Sequence, residues 1–452
     1  MCCRIRVAFA LVLLVAGPAS ADQITPAFGH VYFGELSVGK GARAWGMGGA
    51  QVAFGGDPDA ASWNPAALAL IRRPIPTFSF AHENLRLRPR TTEMSGTDYR
   101  GQHVTWGRIT ELDSGASGAP FERFAFAYPF ELRKRLLVAQ VSYERRVPFS
   151  LRSTYAFDYR RLVADYTPFG YEYRYEAAGS GGVDALSVSV ATELVRGWNL
   201  GLTVHRWTRG FKIPVRERYD CSYENLLSWT EELQDDLQFT LSGTSVDIGT
   251  QVAVKDRLFA GFVYRGGVAA RVGYSNRTTF TNTDPRQIEN LSGTLEGQGT
   301  LRLPRSVAMG LGVRPLKDLT AGFDFVRTSW ADARLEQYAR GIASGNAPVP
   351  GTYLFPTMKR PDVWAQRNTD RYHLGVEYVV RTKSVAIPLR AGTYWEELLA
   401  FDEYGGSQTA RGITAGAGLR MGSAGVDVAW VRQEVRGAFV RHVVRTSLSY
   451  GF

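Results

Sequence analysis

The residue types best suited to chemistry are sparse in this chain and poorly spaced for it. Six histidines, at positions 30, 82, 103, 205, 373 and 442, lack the short separations that bring two imidazoles onto one metal ion. They read as polar residues of an interior or an interface. No serine sits in a nucleophile-elbow pattern, and no Ser, His and acid are spaced to converge. Gly39-x-Gly41-x-x-Ala44 has the outline of a dinucleotide fingerprint, but no strand precedes it and no alternating strands and helices follow. The acid pairs Glu231-Glu232 and Asp235-Asp236 have the chemistry of a calcium site, although solvated acidic loops are the commoner source of such pairs. Cys2 and Cys3 fall in a leader, and Cys221 alone makes neither a disulfide nor a zinc site. It reads as an inert or buried thiol. The pattern points away from an enzyme, and no cofactor or metal is implied.

Charge narrows the partners. The formal net charge of +10 falls to +8 once the leader removes Arg4 and Arg6, and the excess is largely arginine. A planar guanidinium binds phosphate or carboxylate through paired hydrogen bonds, so Arg-rich loops suit lipopolysaccharide phosphates or an anionic substrate; Arg-rich codon usage explains the same excess. No compact basic stripe with interleaved aromatics is present, which argues against nucleic acid.

The elements that would position any site are strands. Residues 1–21 read as a secretory signal: Arg4 and Arg6, an apolar run from Val7 to Ala16, Gly17-Pro18, then Ala19-Ser20-Ala21 as the cleavage triplet. After it there is no apolar stretch of 18 or more residues, so helical membrane spans are not expected. Period-two patterns predict strand pairs at 121–130 with 135–146, 183–194 with 198–209, 243–254 with 257–268, 304–314 with 318–328, 371–381 with 385–395, and 411–420 with 424–433. Each pair is joined by a very short turn. The connections between pairs, near 147–182, 210–242, 269–303, 329–370 and 396–410, are long and rich in Tyr, Arg, Asp, Asn and Pro. An opening strand near 75–84 and a closing strand at 442–452 bring the total to about fourteen. Short turns on one side and long loops on the other are the plan of an outer-membrane β-barrel, and an even count returns both ends to the periplasm.

The faces agree with that plan. Val307, Met309, Leu311 and Val313 alternate with Ala308, Gly310 and Gly312; Tyr372, Leu374, Val376 and Tyr378 alternate with His373, Gly375 and Glu377. The apolar set is expected on lipid, and the charges on the other face need water or partners. The closing strand puts Val444, Leu448, Tyr450 and the terminal Phe452 on one face, the pattern of a strand recognised by the barrel-assembly machinery.

About thirty residues, 39–70, do not fit a barrel wall: GKGARAWGMGGAQVAFGGDPDAASWNPAALAL. Small residues dominate the first half, Asp57-Pro58-Asp59 supplies a helix-start signal, and Asn64-Pro65 starts a second short turn or helix. Irregular backbone ahead of a barrel is best placed inside the lumen, where its polar groups find partners. GARAWGMGGAQVAF followed by DPDAASWNPAALA resembles the amino-terminal hatch of the FadL family of outer-membrane channels for hydrophobic compounds. Ala67 stands where family members commonly carry glycine. LPRSVAMGLGVRPLKDLTAGFDFVRTSW (303–330) and YHLGVEYVV with IPLRAGTYWEE (372–397) are similar to the family's later strands.

The resemblance implies an all-β, transmembrane antiparallel barrel of about fourteen strands (74–452) after a signal peptide (1–21) and a lumen-plugging hatch (22–73). It implies uptake across the outer membrane of a Gram-negative bacterium of long-chain fatty acids or aromatic hydrocarbons, gated by hatch movement through a dry, aromatic-lined pocket. The hatch residues implied are Gly46, Met47, Gly48, Gly49, Asp57, Trp63, Asn64 and Pro65, with ligand-binding residues unassigned. External contacts are sought at Tyr155, Phe157, Tyr159, Tyr171, Tyr173 and Tyr175 with Arg160, Arg161 and Arg174, although a hairpin or an aromatic belt at the lipid interface is the commoner source of such a pattern. The implied partners are small hydrophobic molecules, outer-membrane lipid and lipopolysaccharide, and the assembly machinery. An alternative is a PorV-like barrel of the same superfamily, which shares a similar hatch and serves as a secretion shuttle or scaffold.

Overall fold

The computed structural model describes residues 39–87, 91–97, 103–117, 121–148, 151–163, 167–223, 227–284, 290–332, 334–342, 368–401, 407–436 and 439–452. The segment expected as a leader (1–21) and residues 22–38 lie outside the described residues, as do the side chains of Tyr155, Phe157, Tyr159, Arg160 and Arg161. Twenty strands are present among the described residues. They are β1 (Ile75–Leu87), β2 (Thr91–Thr97), β3 (His103–Ser117), β4 (Phe121–Leu132), β5 (Arg135–Pro148), β6 (Leu151–Val163) and β7 (Thr167–Val195). Next come β8 (Trp198–Tyr223), β9 (Leu227–Val254), β10 (Leu258–Arg265), β11 (Val268–Asn282), β12 (Leu291–Leu303), β13 (Ser306–Leu316) and β14 (Leu319–Thr328). The last are β15 (Arg334–Ile342), β16 (Thr369–Arg381), β17 (Val385–Phe401), β18 (Ser407–Met421), β19 (Ala424–Val435) and β20 (Phe439–Tyr450).

Antiparallel pairing runs from β1 to β4 and on through β5, β7, β8, β9, β10, β13, β14, β16, β17, β18 and β19 to β20. β20 then returns to β1, with Thr77 opposite Ser449 and Leu87 opposite Phe439. The result is a closed barrel of 14 strands. Closure leaves no row of unpaired N–H and C=O groups on the wall, the condition a β-structure must meet in hydrocarbon. All fourteen strands expected from the sequence lie in this ring.

The outer surface of the ring is apolar. Leu186, Val188, Leu200, Leu202, Ile248, Met309, Leu311, Leu374 and Val376 are exposed, while their alternates Ser187, Gln251, Asp247, His373 and Glu377 are buried on the inner face. On β8 the outward set is Trp198, Leu200, Leu202 and Val204, and Arg206 follows. Eight residues separate Trp198 from Arg206, about 26 Å of strand, which matches the height of a lipid-facing band.

Beyond that band the structure differs from the sequence reading. The segments expected as long connections near 147–182, 210–242 and 269–303 contain strand, not irregular loop: β7, β8 and β9 have 29, 26 and 28 residues. With β2, β3, β6, β11, β12 and β15 they continue the wall as an outer sheet in the order β2-β3-β6-β7-β8-β9-β11-β12-β15. In this sheet the two faces exchange character. Outward residues are charged or polar (Glu172, Arg174, Lys212, Arg216, Gln238), and the opposite face buries Phe211, Trp229, Phe239 and Tyr274. The alternation is intact, but its apolar face has turned inward. A search for outward apolar alternation stops at Arg206 for that reason.

Candidate functional site

Residues 39–71 lie inside the ring. A short helix α1 (Ala42–Gly46) packs on β17, β18, β19 and β20; a 3-10 turn over Pro58–Ser62 packs on β1 and β4; a second over Pro65–Leu70 packs on β5, β7, β8 and β9. The local starts are those read from the sequence. Asp57 caps the first 3-10 turn by accepting from Ala60 N at 2.8 Å, and Asn64 caps the second by accepting from Ala66 N at 3.0 Å. Pro58 and Pro65 each occupy a first-turn position, where a missing N–H costs nothing.

The segment is seated on the wall by backbone contact. Several inward positions of the ring are glycine: at Gly375 a Cβ would strike the carbonyl of Met47, at Gly392 the backbone of Gly48, at Gly261 the carbonyl of Val52, and at Gly249 the Asn64 side chain. Gly375 is in register with Gly392 on one side and Gly322 on the other, so the glycines of neighbouring strands line up as a shallow track. This track was missed in the sequence. Its signal is a glycine on the inner face of one strand after another, at matched height above the short turns.

Polar groups then fix the register. Gly48 N donates to Thr414 Oγ1 at 2.9 Å, and His373 Nδ1 donates to Gly48 O at 2.5 Å, which sets the His373 tautomer. Asp324 Oδ2 accepts from Gln51 N and Val52 N, both at 2.7 Å. Asn64 Nδ2 donates to Val52 O at 2.8 Å and to Thr250 O of β9 at 3.1 Å. Arg265 donates to Trp63 O at 2.6 Å, and Trp63 Nε1 donates to Lys40 O at 2.8 Å. Trp63 meets Trp45 edge-on at 6.0 Å, and the Arg445 guanidinium lies 4.6 Å from the Trp45 ring centre. Gly46, Met47, Gly48, Gly49, Trp63, Asn64 and Pro65 are thus gathered in the lumen, and Asp57 lies at their edge. His373, Asp324, Thr414 and Arg265 complete the seat, and their pairing with the segment escaped the sequence reading because wall residues 200 or more positions away carry no local mark.

Two ionic layers bracket the segment. Toward the short turns, Arg43 pairs with Asp57 (2.9 Å) and Glu377 (3.1 Å), and Arg390 pairs with Glu377 (2.6 Å) and Asp427 (2.7 Å). Toward the long-strand side, Arg123 and Arg146 both pair with Glu144, His205 meets Asp247 at 3.0 Å, and Lys40 meets Glu122 at 3.7 Å. Asp59 joins this layer: it accepts from Ser79 (2.8 Å) and Ser447 (3.0 Å) and lies 3.4 Å from Arg123. Burial pushes the Asp59 carboxyl up to about 6, against the opposing pull of Arg123.

A space of about 30 Å³ close to the segment is bounded by Arg146, His205, Asp247 and Arg265 as well as Trp207, so its lining is largely ionic. Irregular backbone in the lumen demands polar partners, and the wall supplies them at this level. Tyr171, Tyr173 and Tyr175 lie on the inward face of the outer sheet, more than ten residues along β7 from Leu186, so they form no belt at the lipid boundary. The acid pairs do not converge, since neighbours on a strand point to opposite faces: Glu231 accepts from Trp229 Nε1 at 3.0 Å, while Glu232 pairs with Arg216 at 3.2 Å. Asp235 accepts from Asn276 Nδ2 at 3.1 Å. Cys221 is buried, as expected.

No protein-family model and no curated protein sequence matches the chain. Solved structures do. The chain is similar to a FadL homologue of Pseudomonas aeruginosa, at 15% identity and a TM-score of 0.60 over 92% of this chain and 98% of that one. It is similar to the CymD monoaromatic hydrocarbon channel, at 14% identity and a TM-score of 0.58 over 93% and 99%. It is also similar to the toluene transporter TbuX of Ralstonia pickettii, at 14% identity and a TM-score of 0.55 over 92% and 98%. The fold of this chain is the FadL-type barrel.

Proposed function

We propose that this chain is an outer-membrane channel of a Gram-negative bacterium that takes up small hydrophobic compounds, with residues 22–73 as a hatch that moves to let them pass. The observation that carries the reading is a closed ring with an apolar exterior whose lumen is filled by a separate, polar-seated segment. An open pore would serve small polar solutes without selection. A filled one requires displacement of the plug, and a solute that crosses the saccharide layer poorly is the one that benefits from such a route. The structural neighbours, channels for toluene and other monoaromatic hydrocarbons, support this substrate class.

The arrangement also supports an order of contacts. The inward aromatic face of the outer sheet, with Phe211, Trp229 and Phe239, offers an apolar surface outside the membrane. Arg146, Arg265 and His205 lie next in the path toward the hatch and suit a compact polar or anionic head on an apolar body. Long-chain fatty acids and aromatic acids fit this order better than plain alkanes. The proposal includes recognition of β20 and Phe452 by the assembly machinery.

The deciding experiment is uptake of labelled fatty acid and labelled toluene by cells with and without the gene. Loss of uptake in the deletion strain, restored by the intact gene, is expected. Unchanged uptake accompanied by lost protein secretion would replace this reading with the PorV-like shuttle.

A further inference from the structure

On the outer surface of the wall, where the apolar band ends, two arginines hold one acid and a third arginine lies alongside. Arg145 Nε of β5 lies 3.0 Å from Asp184 Oδ1, and Arg209 Nε of β8 lies 3.3 Å from Asp184 Oδ2. The Tyr143 hydroxyl donates to the same carboxylate. Arg206, nearer the lipid band, is exposed and donates to Thr244 Oγ1 at 3.3 Å. Asp184 is fully buried, whereas the Arg209 side chain keeps 61% of its surface exposed.

Arg209 is not where the strand alternation would send it. His205 and Trp207 point into the lumen, and the next odd position should follow; instead Arg209 adopts φ of +73° and is exposed beside Thr208. A left-handed conformation costs a non-glycine residue about 1–2 kcal/mol, and it persists only where the surroundings hold it. Here it brings a second guanidinium to Asp184 on the outside of the barrel. Three positive charges against one negative leave the patch at a net +2. Glu144 and Arg146, the neighbouring charges on β5, face the lumen and do not offset it. Below the patch lie exposed Leu186, Val188 and Val204, and beside it Tyr143 stacks on Phe121 at 5.9 Å.

An arginine fork directly above an aliphatic wall, flanked by aromatics, is complementary to a phosphate carried on a saccharide with acyl chains beneath it. We infer that Arg145, Arg206 and Arg209 bind a phosphate of the outer-leaflet glycolipid, lipid A, with its chains along Leu186, Val188 and Val204. Asp184 is a positioning residue that orders two of the three guanidinium groups. The inference rests on the outer-membrane reading and goes beyond it by assigning the lipid a site.

The test uses the full chain, folded in detergent micelles, and counts retained lipid by native mass spectrometry. Diphosphoryl lipid A, dephosphorylated lipid A and phosphatidylglycerol are the probes. Diphosphoryl lipid A should be retained at least tenfold better than either of the others, and Arg206→Gln/Arg209→Gln should lose that preference. Arg206→Gln alone leaves both Asp184 pairs intact and should weaken retention severalfold with the fold preserved. Arg327→Gln, on the far side of the ring, should change nothing. Equal retention by wild type and Arg206→Gln, or equal retention of phosphatidylglycerol, overturns the site. Absence of the chain from isolated outer membranes would instead overturn the location it rests on.

Discussion

Asp59 and Ser447 are 388 residues apart in sequence, and the Ser447 hydroxyl donates to the Asp59 carboxylate at 3.0 Å. Ser447 faces Ser79 across the β1–β20 pair, and the two hydroxyls are 2.8 Å apart. The lumen segment is therefore fastened to the seam where the first and last strands close the barrel. Ser447 Oγ also accepts from Ala42 N at 2.9 Å, so one side chain ties both halves of the segment to the seam.

Asp59→Ala should loosen the segment without opening the ring. It leaves the Ser79 and Ser447 hydroxyls paired with each other, and Arg123 still held by Glu144 and Gln140. A loss of about 1 kcal/mol is expected from the Ser79 and Ser447 hydrogen bonds to the carboxylate. Limited proteolysis of the folded barrel should cut within 39–71 faster than in wild type, while the heat-dependent gel shift of the barrel persists. Unchanged cleavage would show that the seam contact does not hold the segment.

The same carboxyl predicts a pH dependence. Its folded value is raised to about 6 by burial, above the ordinary aspartate value of about 3.9. The folded state therefore takes up a proton that the unfolded chain does not. The resulting stability is fully present below about pH 4 and is lost as pH rises through 6. Denaturant midpoints of wild type relative to Asp59→Asn, measured from pH 7 to pH 4, should rise by the equivalent of about 1–3 kcal/mol. A constant difference over that window would contradict the assignment.

Gly375→Ala should be costly although it adds a single methyl group. The new Cβ would meet the carbonyl of Met47, a backbone atom fixed by the neighbouring seat, and overpacking of this kind costs about 3 kcal/mol. Gly293→Ala on β12 is the control, since nothing lies within 4 Å of its Cβ position. Thermal midpoints of the two variants and dye leakage from vesicles that contain them separate the outcomes. Equal behaviour would mean that the glycine track is incidental.

The wall was legible in the sequence because an apolar outer face over a filled interior imposes a strict period of two, with Met309, Leu311 and Val313 outward and glycines between them. The short turns near 133–134, 196–197 and 382–384 follow from the same periodicity. Asp57 and Asn64 were legible because a capping signal is local: side chain, proline and amide lie within three residues. Contacts such as Asp324 with Gln51 were not, since the partners are 273 positions apart and a lone aspartate among alternating residues looks like any lumen polar group. The outer sheet was misread as loop because its apolar face points inward, so that Glu172, Arg174 and Glu176 dominate its outward pattern.

Those two faces give the last prediction, which locates the membrane boundary. Leu311 on β13 is 62% exposed in the middle of the apolar band. An arginine in its place would have to sit in hydrocarbon, at a cost of about 2–4 kcal/mol near the bilayer midplane. Gln238 on β9 also points outward, but on the outer sheet beyond Val246, the last outward apolar residue of that strand. Gln238→Arg should leave folding into lipid vesicles unchanged, while Leu311→Arg lowers the folded fraction and shifts its urea midpoint. Equal penalties would place the outer sheet in lipid and remove the exchange of faces at Arg206. Equal tolerance would deny that the band meets hydrocarbon at all, because no soluble surface distinguishes the two positions.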